Sequence, residues 1–292
     1  IILHLIGSLI ITGTIWLGLC KCGILCWSSF SLKYLTLRFW SARSISEDFR
    51  CFIEASAPAA IDGGSAVVNT NPLEKDPTKS QNTFSETIND SDFVFISLPT
   101  PSKKDGSIDL SILESSISDI AQASTNSETI FLIRSTITPG STRNFQKKYS
   151  NLKLVFNPEF LTERSANFDF INQSRCILGG AKENTDKVAK LFKWRFGNSL
   201  SILQTNYESA ELIKYMANTF FATKISFLND MKLLSDECNG NWEDIIDGFV
   251  QDGRIGHSHL NVPGHDGKLG FGGVCFPKDI QAIITFGNSI GI

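Results

Sequence analysis

Acidic side chains are absent from the first 46 residues, although the 292-residue chain contains 30 aspartates and glutamates. The same segment holds three of the seven cysteines and three of the five tryptophans. Its apolar run, Leu5 to Cys20, is shorter than the roughly 20 residues that cross a bilayer, and Lys21 ends it. A distorted or wrongly translated stretch explains this composition better than a membrane anchor. We expect residues 1–60 to be atypical and to form no regular first strand entering a glycine turn.

The chain also lacks Cys-x-x-Cys pairs and clusters of cysteine and histidine at zinc spacing, so no metal site is predicted. The odd number of seven cysteines disfavours a disulfide framework. A basic excess is missing too, because 27 basic side chains face 30 acidic ones, and nucleic-acid binding is therefore not expected. Isolated thiols in an enzyme-sized chain are typical of the reducing cytoplasm, and the expected partner is a small molecule or another protein.

From about Ser65 the chain alternates short β-rich apolar runs with polar turns and helical patterns. The predicted strands are residues 65–69, 92–98, 129–134 and 152–156. The predicted helix N-caps are Asp109, Thr138 and Asn157, the last two each followed by a proline at the first helical position. Repetition of strand, polar loop and helix predicts a parallel α/β sheet of the Rossmann type.

Ligands of such sheets bind beyond the carboxyl ends of the strands. The loops that carry Thr100, Thr136 and Glu159 follow three of the predicted strands. We therefore expect these loops to converge on one rim of the sheet. Each of the three residues, taken alone, is also an ordinary turn or cap residue.

One helix of more than thirty residues is predicted after Asn206. It opens with the capping-box spacing of Thr205 and Glu208 and closes near Asn239 and Gly240. Its predicted apolar face consists of Leu212, Met216, Phe220, Phe227 and Met231. This face is compatible with a protein core, and the helix is long enough to bridge domains or to form a dimer interface.

The predicted fold is therefore α/β, with a Rossmann-like parallel sheet domain followed by a long helix and an all-α central domain. The predicted boundaries are 1–60 for the atypical segment, 61–204 for the NAD-binding domain and 205–292 for the helical domain. The chain begins with Ile1 rather than methionine and stops at Ile292 just after an apolar run, which predicts a fragment of a longer protein.

The stretch KLGFGGVCFPKD, residues 268–279, places Cys275 in a glycine-rich turn. Free cysteines are often small buried hydrophobes. Here three glycines clear the approach to the thiol, and Lys278 and Asp279 bring a charge pair close by. A nearby ammonium favours the thiolate, so the pattern indicates a nucleophile. Lys214 and Asn218 are four residues apart on the long helix and emerge side by side.

An ordered set of motifs resembles the UDP-glucose/GDP-mannose 6-dehydrogenase family. The motifs are ISLPTP (96–101), RSTITPGST (134–142), FNPEFLTERSA (156–166), ELIKYMANTF (211–220), DGRIG (252–256) and GKLGFGGVCFPKD (267–279). They cover the chain from about residue 90 to its end. The resemblance implies NAD-dependent oxidation of the 6-hydroxyl of a nucleotide sugar to a carboxylate, with UDP-glucose and its product UDP-glucuronate as the expected pair and a homodimer formed through the long helix.

The resemblance also implies roles for individual residues. Cys275 matches the nucleophile, which forms a thiohemiacetal and then a thioester. Lys214 and Asn218 match the pair that stabilises the developing oxyanions, and Asp279 matches the carboxylate that orients a water molecule and the lysine. Glu159 matches the acid or base of thioester hydrolysis. The residues implied in cofactor binding are Thr100, Thr136, Glu163, Lys278 and Asn69, and those implied in substrate binding are Glu159, Phe160, Leu161, Lys214, Asn218, Arg254, Phe271 and Gly272.

The chain departs from the family pattern in three places. No G-x-G-x-x-G spacing occurs in residues 1–68 to hold a pyrophosphate, and Asn69 stands where an acidic residue usually binds the ribose. The family's C-terminal nucleotide-binding domain is expected beyond Ile292. Three alternatives stay open: a dehydrogenase of GDP-mannose or of a UDP-N-acetylhexosamine, a single oxidation of the β-hydroxyacid type, which has no need for Cys275, and an inactive dimerising module.

Overall fold

A mixed six-stranded sheet forms the first part of the fold. The computed structural model describes residues 51–54, 84–162 and 165–292. Within them the strands are β1 (Cys51–Glu54), β2 (Phe93–Ile96), β3 (Ile130–Ile133), β4 (Lys153–Phe156), β5 (Arg175–Gly180) and β6 (Ser201–Thr205), in the order β1-β2-β3-β4-β5-β6. Neighbouring strands are parallel except β4 and β5, which are antiparallel. The predicted Rossmann-like parallel sheet is therefore confirmed, with one antiparallel pair that the sequence did not indicate.

Eight helices accompany these strands in the described residues. They are α1 (Phe84–Asn89), α2 (Ser111–Ala123), α3 (Ser141–Lys148), α4 (Ala166–Ile171), α5 (Lys182–Phe196), α6 (Tyr207–Glu237), α7 (Trp242–Val250) and α8 (Cys275–Ser289). The described residues divide into two compact units. The sheet unit contains the described residues up to Thr100 together with Leu110–Glu211. The helical unit contains Pro101–Asp109 and Leu212–Ile292. The boundary falls within the first turns of α6.

Apolar side chains on the strands and on α5 form the core of the sheet unit. β3 is buried along its whole length, because helices cover both faces of a Rossmann-like sheet. One cluster joins the strands to α5 and comprises Phe93, Ile130, Leu132, Val155, Cys176, Leu178, Val188, Ala189, Leu191, Phe192 and Leu200. Burial raises the pKa of the Cys176 thiol to about 12, so this cysteine packs as a neutral apolar residue.

Three of the predicted strands are confirmed, because β2, β3 and β4 lie within the runs at 92–98, 129–134 and 152–156. The run at 65–69 lies outside the described residues. One short strand of the first 60 residues, Cys51–Glu54, is described, and it pairs in parallel with β2 at the edge of the sheet. The residues that follow it lie outside the described part, so the expectation that no regular first strand enters a glycine turn stays a prediction. A short parallel strand is identified in a sequence by its apolar run. The strand CFIE has only four residues, so its pattern does not distinguish it from the residues around it.

The predicted helix N-caps are wrong at all three positions. Helix α2 has Leu110 rather than Asp109 at its N-cap. Helix α3 begins at Ser141 after Gly140, whose φ of 91° turns the chain two residues beyond Thr138. No helix follows Asn157, since residues 157–162 are irregular, so Glu159 does not lie on a helix.

Helix α6 has 31 residues, which confirms its predicted length of more than thirty residues. Its start differs from the prediction, because Thr205 is the last residue of β6 and the Asn206 side chain instead accepts a hydrogen bond from the Ser209 backbone N–H at 2.8 Å. Its end is confirmed: Asn239 has a φ of 55°, and the Gly240 N–H donates to the Ser235 carbonyl at 2.8 Å.

The predicted apolar face of α6 is mostly exposed, so its interpretation as core is wrong. Relative exposure is 62% for Met216, 65% for Phe220 and 48% for Phe227. The buried face mixes apolar residues such as Tyr215 and Leu228 with polar ones, among them Lys214 at 3% and Asn218 at 8% exposure. Hydrophobic periodicity identifies a face but cannot tell which face the protein covers, and here the inner face combines apolar and polar residues.

None of the helices in the described part of the chain is both long enough and apolar enough to cross a membrane. The apolar run at residues 5–20 lies outside that part.

Candidate functional site

The loops after β2 and β3 are joined at the carboxyl rim of the sheet. The Ser135 hydroxyl donates to the Leu98 carbonyl at 2.7 Å and accepts from the Leu98 N–H at 2.9 Å. The Thr100 hydroxyl donates to the Thr136 carbonyl at 2.8 Å. Thr100 is 7% exposed, so this bond is shielded from water. The structure therefore brings Thr100 and Thr136, two predicted cofactor residues, into one bonded pair.

The rim continues beyond β4 through Asn157, which was predicted only as a cap. Its side-chain oxygen accepts from Arg134 at 2.5 Å, and its amide donates to the Ile177 carbonyl at 2.9 Å. This buried side chain thus connects the ends of β3 and β4 to the middle of β5. Because both of its polar ends are used across strands, Asn157 does not cap a following helix.

The loop after Asn157 carries the next three predicted site residues. The Glu159 carboxylate accepts the Leu161 backbone N–H at 2.8 Å, which folds the loop back on itself. The Arg175 guanidinium lies 4.4 Å from the centre of the Phe160 ring. Glu159, Phe160 and Leu161 are all half-buried. Glu163 and Asn69 lie outside the described residues.

Glu211 is a buried carboxyl group at the start of α3 that no sequence argument identified. Its oxygens accept from the Gly140 N–H at 2.6 Å, the Thr142 N–H at 2.8 Å and the Thr142 hydroxyl at 2.6 Å. Burial raises the pKa of Glu211 to about 7, against the opposing effect of these hydrogen bonds. The residue is a cap supplied from α6, 69 positions from Thr142. Its only signal in the sequence is an acid three residues before Lys214.

In the helical unit a hydrogen-bonded group joins α6 to α8. The Asn218 amide donates to one oxygen of Asp279 at 2.5 Å, and the Lys278 ammonium donates to the other at 2.5 Å. Asp279 is 0% exposed, so its charge is balanced inside the protein by the neighbouring ammonium. Three predicted site residues are therefore in direct contact. Lys214 is buried one helical turn before Asn218 on the same helix.

Cys275 is the first residue of α8 and is exposed. The free backbone N–H groups of a helix N-terminus stabilise an anion, which suits a thiolate at this position. Asp279 is four residues further along α8 and lies on the same side of the helix. The preceding turn contains Gly272, exposed, and Phe271, half-buried. The sequence placed Cys275 in a loop, and the structure places it where that loop becomes a helix.

Arg254 lies in the loop between α7 and α8 and is 89% exposed as a side chain. Its guanidinium donates to both carboxylate oxygens of Asp252. The pKa of Asp252 is lowered by these hydrogen bonds. Arg254 is thus held by a partner two residues away and presents its outer edge to solvent. In the described residues no group of three or more histidine, cysteine, aspartate or glutamate side chains is arranged to hold a metal ion.

Comparison with known proteins finds two consecutive domain matches in this chain. Residues 61–194 match the NAD binding domain of the UDP-glucose/GDP-mannose dehydrogenase family, and residues 208–292 match its central domain. NAD is therefore the cofactor of the domain that residues 61–194 match. The UDP-glucose 6-dehydrogenase of Rickettsia prowazekii is 36% identical over 216 residues, which are 72% of this chain and 48% of that relative.

Solved structures give the same result. A UDP-glucose dehydrogenase from Pyrobaculum islandicum superposes with a TM-score of 0.63 at 31% identity, covering 72% of this chain and 49% of the other. A GDP-mannose dehydrogenase from Pseudomonas aeruginosa superposes with a TM-score of 0.54 at 27% identity, covering 71% of this chain and 49% of the other. The chain spans about half the length of the curated relatives that it matches. Two consecutive domain matches and these similarities establish that the chain belongs to the UDP-glucose/GDP-mannose dehydrogenase family.

Proposed function

We propose that this chain contains the catalytic helices of an NAD-dependent dehydrogenase that oxidises the 6-hydroxyl of UDP-glucose to the carboxylate of UDP-glucuronate. The observation that carries the proposal is the buried group of Asn218, Asp279 and Lys278 between α6 and α8. This group fixes the helix that bears Lys214 against the helix that begins with Cys275. A helical module with a structural role alone has no need to bury an amide and a carboxylate, with a half-buried ammonium, between the two helices that carry Lys214 and the exposed Cys275.

The chemistry needs a nucleophile that retains the aldehyde between two oxidations. Loss of a proton and a hydride from the alcohol gives an aldehyde, and bound NAD would supply the hydride acceptor for each of the two oxidation steps. The Cys275 thiolate adds to the aldehyde carbon to give a thiohemiacetal alkoxide. Loss of a second hydride from that carbon leaves a thioester. Water then attacks the thioester, releasing the carboxylic acid and returning the thiol.

Lys214 and Asn218 act on the oxygen atom of the reacting carbon. An ammonium and an amide N–H stabilise the negative charge that develops there when the alcohol is deprotonated and when the thiolate adds. Asp279 holds the Asn218 amide in place by accepting one of its hydrogens. Glu159 is assigned as the acid or base of thioester hydrolysis, and Thr136 as the residue that positions a water molecule near the cofactor. Arg254, Phe271 and Gly272 are assigned to the sugar nucleotide.

The described rim of the sheet fits a dinucleotide. The carboxyl ends of the parallel strands β2 and β3 are where dinucleotides bind in this class of fold, and Thr100 and Thr136 are fixed there by their hydrogen bond. Thr100 and Thr136 would hold the cofactor on this side, with Lys278, Glu163 and Asn69 as the further candidates. The G-x-G-x-x-G spacing that usually holds the pyrophosphate is absent from residues 1–68.

We also propose that the protein forms a homodimer through α6. Met216, Phe220, Phe227 and Leu234 recur at spacings of four and seven residues and are 62%, 65%, 48% and 56% exposed. We call these four residues the apolar stripe. Exposed apolar patches of this kind mark interaction sites, and a stripe with a seven-residue repeat suits a second helix of the same kind. The proposed location is the cytoplasm, where the product would supply polysaccharide synthesis.

Two measurements test the function. Isothermal titration calorimetry of the chain with NAD is expected to show binding, and the same titration is made with a form of the protein extended to the length of its relatives. In that extended form Cys275→Ser is expected to lose nearly all formation of acid from UDP-glucose, because an oxygen nucleophile is hardly ionised near neutral pH. Exchange of label from NADH into added aldehyde should persist in part, since the first oxidation does not use the thiol.

Cys238→Ser is the matched control, since Cys238 is also an exposed thiol and lies outside the site. Acid formation near the wild-type rate in Cys275→Ser would show that Cys275 is a packing residue and would remove the proposal. GDP-mannose is tested beside UDP-glucose, because a GDP-mannose dehydrogenase is among the similar structures.

A further inference from the structure

The loop of residues 251–274, which connects α7 to α8, is attached to α6 by a lysine. The Lys224 ammonium donates to the Gly256 carbonyl at 2.5 Å and to the Ser258 carbonyl at 2.8 Å. Two backbone oxygens of the loop are therefore fixed at one point on the helix. The loop begins beside Asp252 and Arg254 and ends at the residue before Cys275. The conformation of the loop therefore affects the positions of Arg254 and of the turn before Cys275, which both belong to the proposed site.

His259 makes a second attachment of the same loop. Its ring is stacked on Phe221 of α6, with the ring centres 4.0 Å apart and an angle of 13° between the planes. The ring of Phe276, the residue after Cys275, lies 5.5 Å away at 47°. His259 also has a φ of 59°, which is uncommon for a residue other than glycine. Stacking that offsets an unfavourable backbone conformation connects α6, the loop and the first turn of α8.

The stacked ring is poorly suited to carry a positive charge. The Nδ1 atom of His259 is buried and has no hydrogen-bond partner within the described residues. Protonation would place an N–H donor there without an acceptor. Burial and the nearby Lys224 ammonium both lower the pKa of His259 from its ordinary value. The neutral ring is therefore the form that fits the stack.

Three ion pairs lie within these elements: Lys232 with Asp236 on α6, Asp252 with Arg254 in the loop, and Lys278 with Asp279 on α8. The loop also carries His265, Asp266 and Lys268, and α6 carries Asp230. His257 is exposed in the loop, and Cys275 is exposed at the start of α8. The Lys224 ammonium is the charge that acts on the imidazole. A protonated His259 would thus meet a like charge that is held in place by two carbonyl oxygens.

We propose that His259 is a positioning residue for the Cys275 site, which holds the loop of residues 251–274 against α6 and α8 when neutral and releases it when protonated. The role in the reaction rests on the proposed function, whereas the pH-dependent attachment of the loop does not. When the loop is released, Arg254 loses its fixed place at one end and the turn before Cys275 loses its place at the other. His259 therefore sets the acid limit of the pH range in which the site is assembled.

Hydrogen exchange of the loop amides tests the attachment without substrate or cofactor. Protection factors of residues 251–274, corrected for the intrinsic effect of pH, are measured at about pH 8 and about pH 5, either side of the ordinary histidine pKa. The protection factors of the wild-type loop are expected to be about tenfold lower at the lower pH, which corresponds to about 1.4 kcal/mol. His259→Ala should show that loss at both pH values, because both ring contacts are gone.

His259→Phe separates stacking from titration. Phenylalanine keeps an aromatic ring between Phe221 and Phe276 but cannot be protonated, so it should retain protection at both pH values. His257→Ala, an exposed histidine of the same loop, should behave as wild type. Amides of β3 report global unfolding in every sample. Equal loss of protection at low pH in wild type and His259→Phe would overturn the proposal, as would full protection of His259→Ala at the higher pH.

Activity gives the second readout. In the extended protein the fall of kcat on the acid side should move to lower pH in His259→Phe, while kcat near neutral pH stays close to wild type. His259→Ala should have a reduced kcat at every pH. If no nucleotide sugar is oxidised by any form, the proposed function fails and the exchange experiment still decides whether His259 controls the loop. An unchanged acid limb in His259→Phe would contradict the positioning role.

Discussion

Removal of the Asp279 carboxylate tests the group that connects α6 to α8. In the variant Asp279→Ala the Lys278 ammonium and the Asn218 amide both lose their acceptor. Breaking a buried ion pair from one side typically costs about 3–5 kcal/mol. Because the Lys278 side chain is 16% exposed, its ammonium can turn toward water, which favours the lower end of that range.

The amide of Asn218 contributes a second cost. Asn218 is 8% exposed, and a buried donor without an acceptor costs about 1–3 kcal/mol. The two costs have a common origin in one carboxylate and do not add in full. We expect Asp279→Ala to lower the free energy of unfolding by about 3–4 kcal/mol. Asp279→Asn should lower the free energy of unfolding by less, because its side chain keeps one oxygen that can accept from the Asn218 amide.

Urea unfolding followed by circular dichroism at constant pH measures the effect. The slope of the unfolding free energy against urea concentration should be unchanged, and the urea midpoint of Asp279→Ala should be lower. The reason is that the substitution alters stability and not the surface exposed on unfolding. Asp252→Ala is the control. It breaks the exposed ion pair between Asp252 and Arg254 in the same unit, and it should leave the urea midpoint unchanged. If Asp279→Ala and Asp252→Ala had the same midpoint, the buried group would have no part in joining the helices.

Two further predictions concern Glu211 and the apolar stripe. Because the pKa of Glu211 is raised to about 7 from 4.5, the folded protein holds a proton between these values that the unfolded chain has lost, so stability should fall by about 3 kcal/mol as pH rises through this interval. Urea midpoints across the interval measure this, and Glu211→Gln should flatten the dependence; an equal slope in both proteins would contradict the assignment. Phe220→Glu should convert a dimer to monomers in sedimentation velocity, whereas Phe168→Glu, at a residue 68% exposed on α4, should leave the dimer intact. A monomeric wild type, or a Phe220→Glu protein that still dimerises, would remove the stripe as the interface.

The alternation of strands and helices was predictable because each buried strand is a continuous apolar run. The strands β2, β3 and β4 have patterns such as FVFI and IFLI that leave little choice of structure. The antiparallel direction of β5 was not predictable, since strand direction depends on the path of the chain between strands rather than on the strand's own residues.

Helix starts were mispredicted because their partners are remote in sequence. Thr138 and Pro139 satisfy every local rule for a helix start, yet the acceptor that caps α3 is the side chain of Glu211. The inner face of α6 was missed for a similar reason. Asn218 can be buried because it bonds Asp279, 61 residues later, and no pattern within the helix reveals that partner.

For the site, the sequence predicted neighbours along a helix better than neighbours across helices. The spacing of four residues predicted that Lys214 lies beside Asn218 on α6. The position of Cys275 on the same helix as Asp279 was not predicted, because the sequence indicated a turn there. The bond between Asn218 and Asp279 needed the structure, as did His259, whose ring stack involves residues from three separate elements.

The cap that Glu211 supplies has a consequence for anionic ligands. A helix N-terminus at the carboxyl rim of a sheet is ordinarily a place where a phosphate group can bind, because its N–H groups and its dipole attract negative charge. At α3 the protein's own carboxylate already occupies the Gly140 and Thr142 N–H groups. A dinucleotide at this rim must therefore direct its phosphates to a different turn of the fold. In doubly wound sheets the pyrophosphate ordinarily binds at the turn after the first strand, and the capped N-terminus of α3 offers no second site for it.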